Sequence, residues 1–210
     1  LLFVVGTRPE EDSFVKPMAV AVDDRDNVLV ADPGAKAVFL YEPGRSVLHC
    51  FRSFGKTALM SPVAVAGSGA KGVFFAADSE LGQVFAFDLR GSLLFTLAEG
   101  LERPTGLALF SDRLFVADSK RNQILVFDLQ GHPVRRFGEP GSKPGQFNAP
   151  TRVTLDAEGR LYVTDTLNFR VQMFDATDQF LGLIGKQGDT SGRFSRPKGV
   201  GVDRFNHIYV

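Results

Sequence analysis

The sequence predicts an all-β protein built from a repeated four-stranded antiparallel unit, and three observations carry that expectation. Proline recurs at Pro17, Pro62, Pro104, Pro150 and Pro197, at spacings of 45, 42, 46 and 47. A small residue followed by aspartate recurs at Ala31-Asp32, Ala77-Asp78, Ala117-Asp118 and Thr164-Asp165. In the same register an aliphatic residue stands six places after each aspartate, at Val38, Val84, Ile124 and Val171, and an aromatic closes each run at Tyr41, Phe87, Phe127 and Phe174. A period in the low to middle forties marks a repeat architecture, in which each unit buries its apolar faces against its neighbours.

The fourth repeat shows how one unit is read. Residues 151–156 form a first strand, closed by the turn Ala157-Glu158-Gly159. Residues 161–164, 170–175 and 180–185 supply the other three. Val, Ile, Leu, Phe and Tyr fill these runs, while Gly, Asp, Asn and Pro punctuate them. The connections are too short for helical crossovers, so each unit is an antiparallel meander. No stretch of 10 to 12 residues carries helical periodicity. Both faces of the strands read as apolar, as in sheets stacked side by side. The unit is a β-propeller blade.

Blades are expected at 17–55, 62–98, 104–138 and 150–185, within a single propeller over 1–210. Residues 1–6 match the outer strand of a preceding blade, and 197–210 open a further one. A six-bladed ring at this period needs roughly 270 to 280 residues. The expectation is therefore an open arc of about four blades plus partial ones, a fragment of a larger protein with further blades or domains elsewhere.

Composition narrows the function. With 44% hydrophobic residues and 24 basic against 24 acidic side chains, the chain is not disordered, and net charge gives no argument for nucleic acid or an anionic membrane. No apolar run approaches the roughly 18 to 20 residues of a membrane span. The lone Cys50 excludes an internal disulfide framework. No charged-then-apolar leader is read in the opening residues, so targeting information is expected to be absent or cut away.

Pro197-Lys198-Gly199-Val200-Gly201-Val202-Asp203, followed by Asn206-His207-Ile208-Tyr209-Val210, resembles the first half of an NHL repeat. The run from Thr164 to Asp175, with Asn168, Arg170 and Gln172, resembles its second half. The second repeat departs, with Gly67-Ser68-Gly69-Ala70-Lys71-Gly72 in place of an Asp-centred turn and Gln83 where Arg170 stands. Absent Trp speaks against WD repeats, and the lack of a Gly-Gly pair against kelch. The resemblance is to bacterial NHL proteins. It implies a six-bladed propeller when complete, a ligand- or protein-binding platform, and an exported or periplasmic setting.

Asp32, Asp78, Asp118 and Asp165 end the second strands before tight connections, where Asp accepts backbone N–H bonds. They are expected to be structural. Asp88, Asp128 and Asp175 are read likewise as turn residues. His49, His132 and His207 fall on an outer strand, a connection and an inner turn, so no metal-ligand set is expected from these residues, and no cofactor. No Gly-x-Ser-x-Gly elbow occurs, and Cys50 reads as packing. Asp24-Arg25-Asp26-Asn27 lacks the Gly and Glu of a calcium loop. Charges over the blade-to-blade and internal connections, which share one face, sum to zero, so RNA binding is not expected.

One position breaks the repeat. Two residues after each proline stand Ala19, Ala64, Gly106, Arg152 and Gly199. A small side chain is expected at this crowded inner edge, so Arg152 stands out, with Thr151, Thr105 and Lys198 at neighbouring positions. Together they read as a rim suited to a carboxylate or phosphate, because guanidinium binds such groups bidentately. The other reading pairs Arg152 with a carboxylate of the next blade. The sequence thus points to a non-catalytic platform for a protein segment or small polar or anionic ligand. A lyase- or lactonase-like propeller enzyme with a channel-mouth metal is the first alternative, and an RNA-binding NHL domain the second.

Overall fold

The strands are held by backbone ladders whose register places one apolar set on each side of every sheet. A computed structural model describes residues 13–210, so the strand expected over 1–6 lies outside the described residues. The chain divides into two compact units, Leu1–Thr96 and Leu97–Val210.

The first unit contains two meanders. β1 (Ala19–Val22), β2 (Val28–Asp32), β3 (Ala37–Glu42) and β4 (Val47–Phe51) form one four-stranded sheet. A small hairpin, β5 (Ser53–Phe54) and β6 (Thr57–Ala58), leads to the second sheet: β7 (Pro62–Ser68), β8 (Val73–Asp78), β9 (Gln83–Phe87) and β10 (Leu93–Leu97). Leu29, Ala31, Val38 and Leu40 share a core with Val65, Phe74, Ala76, Phe85 and Phe87, and Phe54 and Leu59 of the connection wedge into it. Phe54 stacks on Phe87 at 4.4 Å between ring centroids.

The second unit repeats the plan. β11 (Pro104–Phe110), β12 (Arg113–Asp118), β13 (Gln123–Asp128) and β14 (Pro133–Phe137) form the third sheet. β15 (Pro150–Leu155), β16 (Leu161–Asp165), β17 (Arg170–Phe174) and β18 (Phe180–Ile184) form the fourth, with a single 3-10 turn at Thr166–Asn168. β19 (Gly201–Val202) and β20 (Ile208–Tyr209) open a further meander. Phe115, Ala117, Ile124 and Val126 pack against Val153, Leu161, Val163 and Phe174. Phe147, fully buried, enters this core from the connecting loop. Burial of a phenylalanine contributes about 1.5 to 3 kcal/mol. Gly138 permits it: at φ +93° it takes a left-handed conformation, and a Cβ there would lie 2.6 Å from the Phe147 ring. Gly185 and Phe194 repeat this device one period later.

A single turn design recurs six times among the described residues. Asp23, Asp88, Asp128, Asp156, Asp175 and Asp203 each accept the backbone N–H groups two and four residues ahead through Oδ1. The third residue after each has positive φ and is Asp26, Gly91, Gly131, Gly159, Asp178 or Asn206. Gly, Asn and Asp are the residues that enter that region most readily. The Asp-x-x-[Gly/Asn/Asp] spacing is therefore a backbone requirement, and it accounts for most of the acidic turns.

Candidate functional site

The antiparallel order places the β2–β3-type connections of each blade beside its blade-to-blade connections, and the repeated aspartates sit where these meet. Each is fully buried. In the first unit, Asp32 accepts the N–H groups of Val15, Lys16 and Ala35, and Asp78 those of Met60, Ser61, Glu80 and Leu81. In the second, Asp118 accepts those of Glu102, Arg103, Lys120 and Arg121. One carboxylate oxygen serves mainly the incoming loop and the other the aspartate's own turn. The residue thus fastens each blade's first strand to its second.

Asp165 solves the same problem differently. It accepts the Asn148 N–H at 2.7 Å, while Oδ2 takes Asn168 Nδ2, Arg170 Nε and Gln172 Nε2. Arg170 also donates to the carbonyls of Ser142, Lys143 and Gln146. Gln172 bonds Gln146 O and receives the Gly145 N–H. This network fastens the long loop preceding β15 to its blade. A buried guanidinium is tolerated because a carboxylate and three carbonyls face it.

The four rim residues all lie in the second unit. Thr105 Oγ1 donates to Pro150 O at 3.1 Å, and Thr151 Oγ1 to Lys198 O at 3.4 Å. The first strands of successive blades therefore follow one another hydroxyl to carbonyl. Thr151 also meets the Thr166 hydroxyl at 2.6 Å, and Thr166 donates to Pro197 O. Lys198 is exposed. The need for a small residue two places after the proline is steric: a Cβ on Gly106 would lie 2.8 Å from Thr151 O and 2.9 Å from the Arg152 Cα.

Arg152 is half-buried, and desolvation pushes its guanidinium down from the usual arginine pKa. Its cross-strand partner is Thr164. The same pair is Ala19–Ala31, Ala64–Ala77 and Gly106–Ala117 in the other blades. Thr164 is fully buried, and its hydroxyl has no hydrogen-bond partner among the described residues. Both members of one registered pair have therefore become polar. The repeat offset singles out Arg152 in the sequence, and Thr164 stands there where three repeats have Ala, whereas their pairing emerges only once the register is known.

Among the described residues no group of three His, Cys, Asp or Glu side chains is placed to hold a metal ion. No helix among them is long and apolar enough to cross a membrane.

Residues 100–181 match the profile of a family described as a six-bladed β-propeller. No curated protein matches the sequence. Among solved structures, virginiamycin B lyase from Staphylococcus aureus superposes with a TM-score of 0.73 at 13% identity, covering 92% of this chain and 62% of the lyase. A streptogramin B lyase gives 0.74 at 12% identity, covering 96% and 62%. The WD40 repeats of RRP9 give 0.66 at 12% identity, covering 81% and 53%. The chain thus spans less than two thirds of the length of each of these structures. At such identities the likeness is one of fold: the chain is a β-propeller protein of four-stranded antiparallel blades.

Proposed function

We propose that the chain is an NHL-type propeller acting as a non-catalytic binding platform, with an anionic group of a protein segment or small molecule held at the inner rim by Arg152 and Lys198. Thr105 and Thr151 set the spacing of that rim from blade to blade. The observation that carries this reading is the Arg152–Thr164 pair. It brings a guanidinium and a hydroxyl to a register position that is Ala or Gly in every other complete blade. A guanidinium with reduced hydration favours a carboxylate or phosphate partner. The repeated aspartates support the reading from the other side, because backbone donors already surround them.

The test is calorimetric titration of the chain with inorganic phosphate and with citrate, before and after Arg152→Ala. Loss of one charge-assisted contact should weaken binding by about 1.5 to 3 kcal/mol, or roughly tenfold or more, with little change in unfolding free energy. Unchanged affinity together with a large stability loss would assign Arg152 to a structural ion pair. The lyase likeness supplies a rival outcome, since the solved structures include a catalytically inactive virginiamycin B lyase with quinupristin. Turnover of quinupristin by this chain would replace the platform reading with an enzymatic one.

A further inference from the structure

The turn between β11 and β12 is shorter than its counterparts. Only Ser111 and Asp112 separate the two strands, whereas five residues, 156–160, separate β15 from β16. In the first unit a five-residue turn reaches across to the adjacent blade, where Asp24 accepts the Ser68 hydroxyl and the Ala70 N–H. At the junction of the third and fourth blades a cleft of about 200 Å³ remains, on the face opposite the Arg152 rim. Phe110, Phe115, Leu155 and Leu161 line it. The Phe110 ring lies 3.0 Å from where a Gly159 Cβ would stand.

Arg135 closes one wall. It lies over the Phe115 ring at 5.8 Å and forks onto Asp178, with Nη2 3.0 Å from Oδ1. The charges at the mouth are therefore unequal in availability. Asp178 is paired with Arg135, and Asp175 Oδ1 accepts three hydrogen bonds from Thr177 and Gln179. Arg113 donates to its neighbour's carbonyl, Asp112 O, at 3.0 Å, and no carboxylate among the described residues pairs with it. The cleft offers an apolar floor, with the Arg113 guanidinium and the ionised Asp175 carboxylate at its mouth.

We propose that this cleft anchors one aromatic side chain of a partner protein's segment, with an adjacent Asp or Glu of that segment meeting Arg113. Size selects a side chain over a cofactor, because small-molecule sites usually span about 300 to 1,000 Å³. Aromatic anchors seated in a pocket with a charged rim are the common hot-spot arrangement of protein interfaces. The proposal is independent of the rim reading, since the two sites lie on opposite faces and share no residue.

The probes are acetyl-Gly-Phe-Glu-Gly-amide and its counterparts with Ala for Phe and with Lys for Glu. Each is titrated into the whole chain and followed by the Gly159 amide and the Leu155 and Leu161 methyl resonances. The Phe-Glu peptide should shift these signals at millimolar concentration. Removing the ring should weaken binding about tenfold or more, and the Lys peptide or Arg113→Ala about threefold, the scale of an exposed ion pair. Arg113→Glu should reverse the preference between the Glu and Lys peptides. Absence of shifts at these signals, equal binding of the Ala peptide, or equal binding of the Lys peptide each overturns the proposal. The peptide comparison on the unaltered chain decides even where a variant fails to fold.

Discussion

Replacing Asp118 by Asn removes one charge and no atoms of volume, so it isolates the chemistry of the blade fastening. Oδ1 accepts the N–H groups of Lys120 and Arg121 at 3.1 and 3.0 Å. Oδ2 accepts Glu102 N–H at 2.6 Å and Arg103 N–H at 3.2 Å. An amide can keep only one of these sets. If its oxygen serves the turn, its NH2 group points at the Glu102 N–H, donor against donor. A hydrogen bond to a charged group contributes about 1.5 to 3 kcal/mol. Glu102 and Arg103 lie at the surface, where water recovers part of the loss. The expected cost is about 2 to 4 kcal/mol for Asn and somewhat more for Ala, which leaves all four donors without an acceptor. Urea unfolding measures the total, and amide hydrogen exchange locates it. Exchange should accelerate at Glu102 and Arg103 well before the strands of the first unit respond. An Asp118→Asn protein within about 0.5 kcal/mol of the parent, with unchanged exchange at those amides, would refute the reasoning.

Gly106→Ala places a methyl 2.8 Å from backbone that cannot rotate away, and should cost about 1 to 3 kcal/mol in urea unfolding, whereas Gly199→Ala, which meets nothing within 4 Å, should be near neutral. Arg170→Lys keeps the charge but loses the fork onto Asp165, Ser142, Lys143 and Gln146, so limited proteolysis should cut between 138 and 149 much faster than in the parent. At Asp203, desolvation works against ionisation. The His207 N–H and imidazole, the Phe205 N–H and the Tyr209 hydroxyl outweigh it and hold the carboxyl down at about 2. Because this native value lies below the usual 3.8, its stabilising effect is present above about pH 4 and is lost as pH falls towards 2. A carboxyl carbon resonance for Asp203 with a midpoint near 4 would contradict that.

The blade plan was legible because each marker answers a backbone need that recurs in register. Pro62, Pro104 and Pro150 begin first strands, and Asp78, Asp118 and Asp165 end second strands across from them. The turn aspartates were legible for the same local reason. The expected rim needed more than one dimension. That Thr105 and Thr151 reach the carbonyls of Pro150 and Lys198 depends on how closely adjacent blades approach, which no run of residues states. Nor does the sequence mark Phe147 as core, since it lies in a polar Gly- and Pro-rich loop and is buried only through the geometry of Gly138. The NHL resemblance supplied Asn168, Arg170 and Gln172 as a pattern. Their physical purpose, holding a loop of many residues by its carbonyls, is a three-dimensional fact.

Burial also changes what the formal charge of the connection face means. In the second unit the blade-to-blade and internal connections carry eight cations and six carboxylates when every ionisable residue is counted. Yet Asp118 is fully buried among four N–H donors, and Asp165 and Arg170 neutralise each other inside the blade. Without those three residues, these connections display seven cations and four carboxylates: Arg103, Lys120, Arg121, Lys143, Lys186, Arg193 and Arg196 against Glu99, Glu102, Glu139 and Asp189. Glu102 is itself bridged to Lys120 and Arg121 at 3.0 and 3.1 Å. The groups displayed to solvent there are net positive, as the formal count of these connections already is, and the burial of Asp118 adds to the excess. A positive field favours arrival of an anion without specifying it. Under the platform reading proposed above, specificity falls to the one position where the repeat abandons its small residue, Arg152, with Thr164 beside it. The displayed charge and the registered polar pair both favour the anionic ligand proposed above.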